Sequence, residues 1–384
     1  MNTSFIVLGG GIIGLACALE LRLRGAAVTV LEAETCGGQA SGAAAGMLAP
    51  YSENPESPDE FFRLCRESLD LYPNWQQRIR ELSGIDFEYT ESGSLYAAYH
   101  EADLLALESR LRWQRQHGSS GELLRGAALV SAEPGLSRQV VAALRTPEER
   151  HVYAPDLVGA LIAACLNAGV LIREQLGKLE LAAWERGVEV RAAGDSGEAV
   201  FQADQLVICT GAWAGHLPSE LGLELPVHPI RGQICAYPWD TRQAGTEPVR
   251  HMIFSSQGYL VQKANGTLVC GASEDVAGFD TSVTERGIAR LLRWNRSVLP
   301  ALEDRQPIHR WAGLRPATLD GRPLIGRLSR AERVILAAGH YRNGILLAPA
   351  TAKLVADLAQ GREAEPWQQA FRPERFHRQT VHRP

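Results

Sequence analysis

"SFIVLGGGIIGLACALELRLRGAAVTVLEAE" (residues 4–34) decides the fold, because each part of it requires a different backbone. Residues 5–8 are a short apolar run suited to a strand buried on both faces. Gly9, Gly11 and Gly14 follow in GxGxxG spacing. A helix is expected next, with Ile13, Ala16, Cys17, Leu19 and Leu23 apolar at helical intervals and Gly25 as its stop. "AVTVLE" (27–32) reads as a second strand with Glu32 at its tip. Gly9 permits the sharp turn, Gly11 lets backbone approach a pyrophosphate, and Gly14 lets helix and strand pack closely. The helix N-terminus offers free N–H groups and partial positive charge to phosphates. Glu32 can accept from ribose hydroxyls and would repel a 2′-phosphate. Strand, turn, helix and acid together make a dinucleotide site, where GxGxxG alone would be weak. NAD and FAD both remain open at this point.

Outward from this unit, 384 residues exceed one ordinary domain. Hydrophobic residues at 45% and charged residues at 22% fit a globular chain with a full core. A net charge of −5 and scattered Lys and Arg give no footprint for nucleic acid or anionic membrane. The seven cysteines form no CxxC pair and no Cys/His cluster, so neither zinc nor a disulfide framework is expected, and a reducing, cytoplasmic setting fits. No Lys or Arg precedes the first apolar run, which argues against a signal peptide, and no run elsewhere is long enough to span a membrane.

"CGGQASGAAAGML" (36–48) is small-residued; alone it reads best as a poorly packed helix start, although it also lets backbone press on a flat ligand. "APDLVGALIAACLNAGVLI" (154–172) is a helix leading into a strand, and a hairpin-like run continues to about 200. "ADQLVICTGAWAG" (203–215) is a third buried strand ending on Thr-Gly at the expected cofactor edge. "DFEYTESGSLYAAYH" (86–100), "PIRGQICAYP" (229–238) and "GYLVQKANGTLVCGA" (258–272) read as strands, the last with an Asn265-Gly266 hairpin turn. Regular helices do not separate them. The expected fold class is α/β: a Rossmann-like FAD-binding domain with an inserted, mainly antiparallel-sheet substrate domain (α+β). The expected division is 1–85, 150–215 and 311–370 for the first domain, 86–149 and 216–310 for the second, and a loose tail over 371–384.

Two arginines near the end pose a separate question. Arg315 sits in "HRWAGLRPATLDGRPLIG" (309–326) and Arg342 in "AAGHYRNGILLAPATAKLVADLAQG" (337–361). A helix over 345–360 begins just after Gly344, early enough to tolerate Pro349, and its N-terminus can stabilise negative charge. From spacing alone Arg315 could equally pair with Asp320 or Glu303, and Arg342 could be an exposed loop residue. A lone His340 beside a glycine turn reads as a hydrogen-bonded structural residue, and Gln257 and Glu274 receive no role.

Taken in order, "VLGGGIIG…VLE", "SGAAAGML", "TGAWAG", "WAGLRPATLDGRPLIG" and "AAGHYRNGILLAPATAKL" resemble the D-amino acid oxidase superfamily of FAD enzymes, and within it the glycine oxidases. The resemblance covers almost the whole chain. It implies non-covalent FAD, since relatives with covalent flavin use a cysteine near "WAGLRP" and this chain has none after Cys270. The implied FAD contacts are Gly9, Gly11, Ile12, Ile13, Gly14, Glu32 and Ala33, then Ala40, Ser41, Ala45, Gly46 and Met47. Lys178 and Gly211 follow, and His340, Tyr341, Arg342, Asn343, Gly344, Ile345 and Leu346 would wrap the flavin. Arg315 would grip a substrate carboxylate, with Tyr259 donating to it and Arg342 lining the pocket. The implied reaction is oxidation of glycine, sarcosine or a small D-amino acid, with O2 as acceptor and no catalytic acid or base. A homotetramer is the implied assembly, and a thiazole synthase the implied user of the product. Readings that share the fold are a D-amino acid dehydrogenase feeding a quinone, the flavin module of a tRNA-modifying enzyme, and a non-catalytic FAD-binding protein.

Overall fold

The computed structural model describes residues 3–54, 58–194, 197–216, 221, 225–242, 248–362 and 365–379. Its organising sheet has six strands in the order β19-β20-β13-β1-β2-β9. These are Leu324–Leu328 (β19), Ala331–Ala338 (β20), Gln205–Ile208 (β13), Ser4–Leu8 (β1), Ala27–Leu31 (β2) and Leu171–Arg173 (β9). All pairs are parallel except β19 with β20. The chain leaves β1 toward β2 on one side and later places β13 on the other. This is the switch point at which an open α/β sheet leaves a crevice at its strand ends.

Helices Ile12–Leu23 (α1), Glu60–Ser83 (α3), Ala154–Asn167 (α6) and Gly344–Ala359 (α8) cover one face of this sheet and share one core. A meander of Lys178–Ala183 (β10), Val188–Gly194 (β11) and Gly197–Ala203 (β12) covers the other. Its Leu181, Val188 and Val190 pack on Ile6, Leu8 and Leu206. α8 is buried nearly all round, which its composition of Ile, Leu, Ala and Val requires. Pro349 lies inside it and supplies no N–H to the Ile345 carbonyl. The Tyr72 hydroxyl of α3 donates to that carbonyl instead at 3.0 Å, and Ser68 donates to the next one, Leu346, at 2.6 Å.

The second sheet has eight strands, in the order β18-β14-β17-β16-β15-β5-β7-β6. They are His309–Thr318 (β18), Val227–Pro238 (β14), Thr267–Gly271 (β17), Gly258–Gln262 (β16), Met252–Ser255 (β15), Ser94–Ala98 (β5), Ala142–Thr146 (β7) and Glu122–Arg125 (β6). Only β15 with β5 is parallel. Asn265 and Gly266 do turn the β16–β17 hairpin, within a four-residue connection, 263–266, with Gly266 at φ +81°. Glu285–Val298 (α7) packs on one side through Ile288, Leu291 and Trp294, while helices Leu104–Gln116 (α4) and Gly126–Ala132 (α5) flank the far strands. The other side, with Ile234, Val269, Tyr259 and Trp311, faces the α/β unit. A small sheet of Met47–Leu48 (β3), Arg150–Val152 (β8) and Tyr89–Thr90 (β4) joins the two lobes, and a single-turn helix, Ala40–Ala43 (α2), precedes it.

Two expectations need adjusting. The boundary at 311 falls inside β18, which pairs with β14 from His309 to Thr318 and so belongs to the eight-stranded sheet. The tail from 371 is not loose at its start: Phe371 is buried in the α/β core, and Arg375 pairs with Asp320 at 2.8 Å. Residues 380–384 lie outside the described residues. All seven cysteines are unpaired and buried. Among the described residues, no helix is long and apolar enough to cross a membrane, and no cluster of metal-ligating side chains occurs.

Candidate active site

A cavity of about 470 Å³ lies between the two sheets, within the range of small-molecule and cofactor sites. One end is built by the opening glycine motif. A Cβ on Gly14 would stand 1.9 Å from the Gly9 carbonyl oxygen, and one on Gly9, at φ +105°, 2.5 Å from that of Cys209. Both positions therefore need glycine for the β1–α1–β13 packing. Gly11, Ile12 and Ile13 line the cavity. α1 has no cap from its own N-cap residue, Gly11, and no acidic residue in its first turn; Ser41 takes the Ile12 amide, and the rest of its positive end is available to an anion. Glu32 accepts from the amides of Gly10 (2.7 Å) and Glu34 (2.9 Å), which holds it at the β2 tip.

The small-residue segment does form a helical turn, and it also meets the cavity. Ala40, Ser41, Ala45, Gly46 and Met47 line it, as do Cys209 and Gly211 after β13. Ser41 Oγ accepts from the Ile12 amide at 2.9 Å. Trp311 donates to the Ala43 carbonyl at 3.0 Å, and a Cβ on Gly313 would stand 2.6 Å from that of Ala43. The bland composition of 36–48 is thus what lets β18 lie close above it.

The opposite wall begins α8. His340, Tyr341, Arg342, Asn343, Gly344 and Ile345 line the cavity. α8 too lacks a side-chain cap and a first-turn acid, so its first N–H groups have no partner within the helix. His340 is buried, bonds Thr351 Oγ1 at 3.0 Å, and burial lowers its pKa to about 3. Tyr341 sits at φ +49°, uncommon for a non-glycine residue, and its amide donates to the Pro316 carbonyl at 2.9 Å. That bond ties the loop to the strand bearing Arg315.

The two arginines differ in their partners. Arg342 donates to Glu53 from Nε at 2.9 Å and from Nη2 at 2.8 Å, and to Glu274 from Nη1 at 3.1 Å. Tyr341 also donates to Glu274, at 2.9 Å. Glu53 is only 6% exposed, and its charge leads in raising the Arg342 pKa. Arg342 is therefore already committed to protein carboxylates. Arg315 meets no carboxylate among the described residues. It makes neither of the ion pairs its spacing allowed, Asp320 being held by Arg375. Its guanidinium lies over Gly232, where a Cβ would be 2.4–2.5 Å away, and Nη1 donates to the Ser273 carbonyl at 2.9 Å. Tyr259 lies beside it on β16, its hydroxyl over Gly271. Burial raises the Tyr259 pKa, which keeps the phenol protonated and able to donate.

Several implied FAD contacts are not among the residues that line the cavity. Lys178 is on an edge strand of the meander, 77% exposed, and pairs with Glu180 at 3.5 Å; it does not line the cavity. Glu32 and Ala33 follow the end of β2 and do not line the cavity, nor do Gly9, Gly14 and Leu346, each next to or within two residues of a lining residue. Glu53, Gly232 and Ser273 were not singled out in the sequence. Nothing near Glu53 marks it; only its contact with Arg342, 289 residues away, gives it a role.

These walls fit an elongated dinucleotide with a flat ring: two helix N-termini, a glycine cradle and a small-residue segment all line one cavity. A family model described as "FAD dependent oxidoreductase" (DAO) matches residues 4–358. The chain belongs to this family.

Within the DAO family it is 34% identical over 360 residues to the glycine oxidase of Geobacillus kaustophilus, 93% of each chain being covered. The crystal structure of a glycine oxidase from Geobacillus kaustophilus superposes with a TM-score of 0.90 at 32% identity, covering 97% of this chain and 99% of that one. The bifunctional protein ThiO/ThiG of Trichormus variabilis is 35% identical over 384 residues, 99% of this chain but only 56% of that protein. The chain thus spans about half the length of this bifunctional relative. The protein is an FAD-dependent amine oxidoreductase, similar along its whole length to glycine oxidases.

Proposed function

We propose that this DAO-family enzyme oxidises glycine and other small amines such as sarcosine and small D-amino acids to the imine, which hydrolyses to the 2-oxo acid, with O2 reduced to H2O2. The observation that carries the substrate class is Arg315: an unneutralised guanidinium inside the cavity, beside a protonated Tyr259. A carboxylate fills both, by the two-pronged geometry lysine cannot copy. FAD when bound supplies the hydride acceptor. The chain's part is positioning: Arg315 and Tyr259 fix the carboxylate, so the amine and α-carbon face the small-residue wall. The N-terminus of α8 offers its positive end to negative charge gathering on that side. No side chain is assigned as acid or base; His340 faces Thr351 and stays neutral.

The segments 1–85, 150–215 and 311–370 are proposed to carry the cofactor, and 86–149 with 216–310 the substrate, with β18 shared between them. We further propose that the imine from glycine supplies a thiazole synthase in thiamine formation. The likeness to proteins named ThiO/ThiG, which are longer than this chain, supports such a pairing.

Anaerobic titration of the yellow holoenzyme with glycine tests this reading. Bleaching of the flavin band, reversed by air with peroxide release, is expected. Colour retained with glycine, sarcosine and D-alanine alike overturns it.

A further inference from the structure

Glu149 lies between β7 and β8, fully buried and outside the cavity. Its carboxylate accepts four hydrogen bonds: from the amides of Tyr51 (2.8 Å) and Ser52 (2.7 Å), and from the hydroxyls of Ser52 (2.6 Å) and Ser94 (2.5 Å). The carbonyls of the same two residues are also held. Arg110 on α4, itself buried, donates to the carbonyls of Tyr51 (3.2 Å) and Ser52 (2.9 Å). Its guanidinium stacks on the Tyr96 ring at 4.1 Å. A buried carboxylate and a buried guanidinium thus clamp residues 51 and 52 from donors and acceptors alike. The next residue is Glu53.

A buried charge is costly unless fully hydrogen-bonded, and a core of this size can be closed with apolar side chains. Here the ionic groups converge on two loop peptides rather than on each other. The loop they fix delivers Glu53 to Arg342 in the cavity lining. We propose that Glu149, assisted by Arg110, is a positioning residue: it sets Glu53, and through Glu53 the place of Arg342 and of the 340–346 segment over the cavity. The inference rests on the proposed amine oxidation for its kinetic readout only.

The test is a cycle of Glu53→Gln, Glu149→Gln and the double variant in the FAD-loaded enzyme, reading kcat/KM for glycine. A route through Glu53 predicts that each single variant loses roughly tenfold or more, the scale of a misplaced active-site group, and that the double variant loses no more than the worse single one. Losses that multiply, or a Glu149→Gln enzyme with unchanged kcat/KM, overturn it. If Glu149→Gln does not fold, Ser94→Ala, which removes one of the four bonds, takes its place in the cycle. Hydrogen exchange of the same variants gives a readout that does not depend on substrate. Glu149→Gln is expected to speed exchange in both 49–54 and 340–346, whereas exchange unchanged in 340–346 overturns the route to Arg342. Wild-type enzyme that glycine does not reduce sinks the proposed function but leaves the exchange result to decide this inference.

Discussion

Replacing Gly232 by alanine tests the carboxylate site without touching a charged residue. The new Cβ would stand 2.4 Å from Arg315 Nη2 and 2.5 Å from Cζ and Nη1. Ordinary contact requires about 3.5 Å, so the guanidinium must retreat by about 1 Å. The obstacle is the end of a flexible side chain, and Gly232 is at no positive φ, so the fold can absorb the change. The hydrogen bond from Nη1 to Ser273 is lost or lengthened, and the fork no longer meets both carboxylate oxygens. A 1 Å misplacement costs on the order of 10²-fold in rate, equivalent to about 3 kcal/mol. We expect kcat/KM for glycine to fall ~10–100-fold, with FAD content and thermal midpoint close to wild type. Stopped-flow reduction by glycine under nitrogen measures the first, and flavin fluorescence on heating the second. A Gly232→Ala enzyme with kcat/KM within about twofold of wild type would refute the placement of the substrate carboxylate on Arg315.

Other expectations concern the cofactor and the frame. Acid precipitation should release all yellow colour into the supernatant, since no cysteine follows Cys270; colour left in the pellet would show a covalent flavin. Tyr72→Phe should cost about 1–2 kcal/mol, because it leaves the buried Ile345 carbonyl, already deprived of a donor by Pro349, unsatisfied; an unchanged urea midpoint would contradict this. His340 has its pKa lowered by burial from 6.5 to about 3, so protons bind preferentially to the unfolded chain below pH 6.5. Its contribution is complete above that pH and is lost as pH falls toward 3, by about 2 kcal/mol at pH 5. His340→Gln should flatten the acid limb of the stability profile by that amount, and equal slopes would refute the assignment.

The parts legible in the sequence are those where chemistry is local. The β1–α1–β2 unit is written in consecutive residues, because turn, phosphate approach and helix packing each demand glycine within six positions. α8 was likewise readable from Asn343-Gly344 and a long apolar run. What escaped depends on tertiary contact. Glu53 has meaning only beside Arg342, and Gly232 only beneath Arg315. β18 was not read as a strand, and most of it was grouped with the FAD-binding segments from 311, since its pairing with β14 is a long-range choice. Lys178, a position taken from the resemblance, lies apart from the cavity lining, its side chain exposed and paired with Glu180 of its own strand.

β18 carries Trp311, Gly313 and Arg315 at alternate positions, with Gly313 resting on the small-residue turn and Arg315 reaching into the cavity. Residues two apart on a strand are about 6.6 Å apart, so one stretch of backbone acts as a ruler between the ring-facing wall and the anion clamp. The Ser255–Gly258 turn of the β15–β16 hairpin contributes to the cavity from a separate part of the sheet. With the carboxylate held as proposed, changes in that turn are expected to alter which side chain a substrate can carry while leaving the ruler untouched. Substrate range in such a frame can diversify without re-solving the geometry of the reaction.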